Sequence, residues 1–99
     1  MTGAAMAPCA DADLVAAAAE GDGGAWDRLV DRFAGTVWMV ARGHGLDRPD
    51  AADVSRATWM RLADSLQLIE QPERVGDWLA STACRESRRV LRLSGRAGA

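Results

Sequence analysis

The sequence predicts an all-α chain, a compact bundle of four helices, and three observations carry that prediction. Apolar residues recur at the helical period in three long segments. Acids, Pro and Gly stand where helices start and stop. Nowhere do apolar and polar residues alternate as they would along a half-buried strand. The 99 residues suffice for one domain.

Residues 1–10 read as a disordered lead, small and apolar but without the positive start and long apolar run of a signal peptide. The first helix is expected over about residues 11–20. Asp11 and Asp13 favour its N-terminal dipole, and Gly21 closes it. The glycine-rich break at 21–24 is a turn rather than a phosphate loop, because no strand precedes it and no Gly-Lys-Ser/Thr follows. Asp22 is the expected N-cap of a second helix over about 24–42. Trp26, Leu29, Val30, Phe33, Val37, Val40 and Ala41 then form one apolar face, with Trp38 off it, read as half-exposed packing before a partner contact.

A loop with Gly43, His44 and Gly45 ends that helix. His44 is the one histidine, read as a plain loop residue with neither a metal cluster nor a nucleophile beside it. The third helix is expected over 50–66, with Asp50 and Asp53 forming its capping box after Pro49. Val54, Thr58, Trp59, Leu62, Ala63 and Leu66 face inward. Residues 67–71 link to a fourth helix over about 72–93, with Pro72 in its first turn. Its inner face is expected to hold Val75, Trp78, Leu79, Thr82, Ala83, Val90 and Leu93. Trp59 and Trp78 are both read as core.

The apolar fraction of 48% overstates the core, because 20 of those residues are alanines that each bury little area. All 12 basic residues are arginine, and their placement matters more than the net charge of −2. Residues 1–73 hold six arginines against twelve acids, whereas residues 74–99 hold six against two. Arg85, Arg88, Arg89, Arg92 and Arg96 fall at 0, 3, 4, 7 and 11, a ribbon on one helix face. Such a ribbon repels itself and suits a polyanion laid across it. Cys9 and Cys84 are too few for a disulfide framework and read as free thiols in a reducing cytoplasm. No apolar run reaches 18 residues, so no membrane span is expected. Neither a cofactor nor a metal is implied, and no paired catalytic carboxylates point to an enzyme.

Three stretches in this order resemble a known family: Trp26-Asp27-Arg28-Leu29-Val30-Asp31-Arg32-Phe33, then Asp50-Ala51-Ala52-Asp53-Val54 with Trp59-Met60-Arg61-Leu62, then Trp78-Leu79-Ala80-Ser81-Thr82-Ala83 before the arginines. Over residues 11–93 the chain is similar to the region 2 domain of extracytoplasmic-function sigma factors, the short bacterial class of the principal sigma family. The resemblance implies a transcription initiation factor module, with two partners. One is core RNA polymerase, whose largest-subunit clamp helices would meet Asp53, Arg56, Ala57 and Arg61. The other is the non-template strand of the −10 promoter element. For that strand the resemblance implies that Leu68, Ile69, Glu70 and Gln71 receive a flipped base while Arg85, Arg88, Arg89 and Arg92 hold the backbone. An anti-sigma factor is a further partner that the family admits.

The chain departs from the family at three points. Arg56 stands where Gln is common, Ala57 where an acid is frequent, and Cys84 where a basic residue is usual. The family's second, −35-reading domain has no counterpart in these residues, and 94–99 read as the start of a linker or a tail. These departures support an alternative reading: a region 2-derived interaction module that binds polymerase or an anti-sigma factor without productive DNA contact.

Overall fold

The structure, a computed structural model, describes residues 10–94. The expectations for residues 1–9, Cys9, Arg96 and residues 95–99 lie outside them. The described chain is all-α, and its helices are α1 (Asp11–Ala19), α2 (Gly23–Gly43), α3 (Arg48–Ser65) and α4 (Val75–Leu93). A 3-10 turn, Pro72–Arg74, precedes α4. The fourth helix was expected to run unbroken from 72. Instead the Arg74 amide bonds back to the Gln71 carbonyl at 2.8 Å, three residues away, and the α-helical ladder begins one residue later.

Local chemistry explains the boundaries. After α1, Gly21 takes φ +99, its amide reaches the Ala18 carbonyl and the Asp22 amide reaches that of Ala17. That paired closure needs a left-handed residue, which glycine supplies without strain. The Asp22 carboxylate then accepts from the Ala25 amide at 3.2 Å and caps α2. The cap of α3 differs from the expected one. Asp47, not Asp50, accepts the N-terminal amide, that of Asp50, at 3.0 Å. The helix starts at Arg48, so Pro49 lies inside its first turn, where no amide is missed.

Helices α2, α3 and α4 pack on one another, while α1 packs on α2 and on the 3-10 turn. Their shared core is Leu29, Val37 and Ala41 from α2, Ala51, Val54 and Leu62 from α3, and Val75, Leu79 and Ala83 from α4, all without solvent exposure. Each fully buried Leu or Val contributes about 1.5–3 kcal/mol. Trp26 and Trp59 meet edge to face across α2 and α3, with centroids 5.9 Å apart. Both are half-buried against the core rather than enclosed in it, as are Trp38 and Trp78.

Two inward assignments are corrected. Leu93, the last residue of α4, is exposed, and Ala63 faces solvent near the end of α3. Buried polar groups sit among the apolar ones. The Thr58 and Ser87 hydroxyls donate to the carbonyls four residues back, Val54 and Ala83, each at 2.8 Å. Among the described residues, no helix is long and apolar enough to cross a membrane.

Candidate functional site

The site grows from one face of α4. Trp78, Ser81, Arg85, Arg88 and Arg92 recur at helical spacing, so a single stripe runs from an indole to a line of guanidiniums. At the indole end the linker after α3 closes over the stripe. The Leu68 amide bonds to the Ser65 carbonyl at 2.8 Å, which turns the chain out of α3. Gln67 donates its side-chain amide to the Ala19 carbonyl at 3.2 Å and pins the linker to the end of α1. The result is an open cleft of about 490 Å³, walled by Leu68, Ile69, Glu70 and Gln71 on one side and by Trp78 and Arg85 on the other. Ile69 is partly buried on the core, while Leu68 is left 76% exposed at the rim. Arg74 also borders the cleft, held to Asp77 by bonds of 3.0 and 3.2 Å.

A second cleft, of about 470 Å³, continues from Arg85 along α4. Arg85, Arg88, Arg89 and Arg92 line it together with Arg61 of α3, and Glu86 lies at its base. Glu86 is only 5% exposed, and burial of a carboxylate requires a cation. Arg61 Nε donates to it at 2.5 Å and Arg89 lies 3.8 Å away. Arg88 and Arg92 meet no acid among the described residues, and Arg85 reaches only the Thr82 hydroxyl, at 3.5 Å.

The structure therefore brings the residues expected at the DNA, Leu68–Gln71 and Arg85–Arg92, into two joined clefts. It separates the other expected group. Asp53 and Arg56 lie exposed on the outer face of α3 and Ala57 is half-buried, whereas Arg61 is turned toward α4. Met60, 61% exposed, shares the outer face with Asp53 and Arg56 at i, i+3, i+7 spacing. Sequence reasoning missed Met60, and period alone could have found it.

It also missed the partner of His44. The His44 Nδ1 lies 2.9 Å from the Val40 carbonyl, which can only accept, so Nδ1 carries the proton. The other ring nitrogen then accepts from the Cys84 thiol, 3.4 Å away. The expectation that His44 stands without a nucleophilic neighbour is thus overturned. The two are 40 residues apart in the chain, and only the packing of the α2 end beside α4 joins them. No group of three metal-ligating side chains occurs among the described residues. Compared with known proteins, the chain matches no family model, no curated protein and no solved structure.

Proposed function

We propose that this chain is a transcription-initiation module that binds core RNA polymerase and captures the unpaired strand of a −10 promoter element, and that it works in the bacterial cytoplasm. The observation that carries the reading is the continuity of the two clefts through Arg85. Single-strand capture needs a partly apolar recess for an unstacked base beside cations for the phosphates that flank it. The first cleft offers an indole, an isoleucine and the polar ends of Glu70 and Gln71; the second offers guanidiniums. Phosphate contacts would supply a sequence-blind, salt-dependent attraction, and the recess would supply the base preference. Strand opening is then driven by binding, without bond chemistry.

The test is fluorescence anisotropy of a labelled single-stranded −10 oligonucleotide across a salt series. Arg88→Ala and Arg92→Ala should each flatten the slope of log K against log salt by roughly 0.7, the share of one phosphate contact on a single strand. Unchanged slopes in both variants would remove the arginines from the interface.

The second reading, an interaction module that binds polymerase or an anti-sigma factor without productive DNA contact, is favoured by one observation: Cys84, which stands where the resembled family usually has a basic residue, lies 3.4 Å from His44 and adds no cation beside Arg85 and Arg88. Retention by purified core polymerase with no affinity for any oligonucleotide would select it.

A further inference from the structure

We infer that the cleft between α3 and α4 is a binding site for a compact polyphosphate anion, a ligand distinct from a nucleic-acid strand. Three features carry this. The first is chemical: the cleft is walled by Arg61, Arg85, Arg88, Arg89 and Arg92 around Glu86, with no aromatic or aliphatic side chain among them. A nucleobase finds nothing to stack on there, and a phosphate oxygen finds donors on every side.

The second feature is convergence. Arg61 comes from α3 and faces the four arginines of α4, so donors from two helices meet over one short cleft. The buried Glu86 carboxylate holds Arg61 at 2.5 Å and draws Arg89 to 3.8 Å, which fixes the two cations on either side of the cleft before any ligand arrives. Glu86 is thus a positioning residue. Donors already oriented lose less entropy on binding.

The third feature is charge. Five guanidiniums less one carboxylate leave the cleft at +4. A single phosphate group carries about −1.5 to −2 near neutral pH and offsets at most half of that. Several phosphates joined in one small molecule match it. Inorganic tripolyphosphate represents that class.

The inference does not depend on the nucleic-acid reading, and calorimetry on the full chain separates them. At about 0.1 M salt, where the screening length is about 10 Å, tripolyphosphate should bind one to one and orthophosphate at least tenfold more weakly. Arg88→Ala and Arg92→Ala should each weaken tripolyphosphate binding about tenfold, the worth of one charge-assisted contact. Arg48→Ala, about 20 Å from Arg61 along α3, should change it less than twofold. Thermal unfolding of the same variants should stay unchanged, since neither Arg88 nor Arg92 meets an acid among the described residues. Absence of tripolyphosphate binding by the intact chain, or an Arg48→Ala loss as large as that of Arg92→Ala, would overturn the site. A chain that binds the oligonucleotide through Arg88 and Arg92 but ignores tripolyphosphate loses this site and keeps its proposed function. One that takes tripolyphosphate and no oligonucleotide keeps the site and loses the function.

Discussion

A carboxylate that is 5% exposed needs cations beside it, and Glu86, walled by arginines, shows how one residue can order two helices. On α4 it is the one acid among Arg85, Arg88, Arg89 and Arg92. In the fold its side chain points under that ribbon and reaches Arg61 of α3. Removing it would strand Arg61 and leave five like charges facing one another. Glu86→Ala is therefore expected to cost about 2–3 kcal/mol. Arg61→Ala should cost at least as much, because it leaves a buried carboxylate with only Arg89, 3.8 Å away, beside it. Arg92→Ala should stay within about 0.5 kcal/mol of the parent. Urea denaturation gives all three values, and a loss for Glu86→Ala or Arg61→Ala no larger than that for Arg92→Ala would mean that the carboxylate is not the link between the helices. The pairing was not legible beforehand, because 25 residues separate Arg61 from Glu86 and helical period says which face a residue takes but not which helix it meets.

At the scale of elements, what the sequence spelled out and what it hid divide by range. The inner face of α2 was readable from Trp26 to Ala41, because seven apolar residues repeat at one period. The start of α3 was misplaced by two residues: Asp47 and Asp50 are both good caps, and only the backbone path decides between them. The approach of α2 to α4 left a quieter trace. Gly76 lies where α4 begins, and a Cβ built on it would stand 2.8 Å from Cε1 of Phe33. The glycine permits that ring to lie against the helix. Elsewhere in a helix, Gly→Ala gains about 1 kcal/mol of helical propensity; here the ring opposes it. A double-mutant cycle reads the contact directly. Gly76→Ala should be at least about 1 kcal/mol more favourable in a Phe33→Ala background than in the parent. Equal effects in both backgrounds would show that α2 and α4 do not touch through this pair.

For the whole molecule, the question is whether two partners could be served at once. The acid-rich body and the arginine-rich end were evident from the charge count, and the all-α bundle from period and punctuation. The place of Arg61 was not, because the resemblance grouped it with Asp53, Arg56 and Ala57, while the fold turns it to the cleft beside α4. The outer face of α3 is left with Asp53, Arg56 and Met60. Two surfaces built on different helices can be damaged separately. Arg56→Ala combined with Met60→Ala should reduce retention by purified core RNA polymerase about tenfold, as loss of a contact worth about 1.4 kcal/mol does. The same pair should leave oligonucleotide anisotropy unchanged, because neither residue lines either cleft. Arg88→Ala with Arg92→Ala should do the reverse. Loss of both activities in both double variants, with native circular dichroism, would mean that one shared surface serves both partners and that the proposed division between α3 and α4 is wrong. If oligonucleotide binding is absent from the parent as well, while polymerase retention still falls with Arg56 and Met60, the chain is the interaction module, and its arginines answer to some other anion.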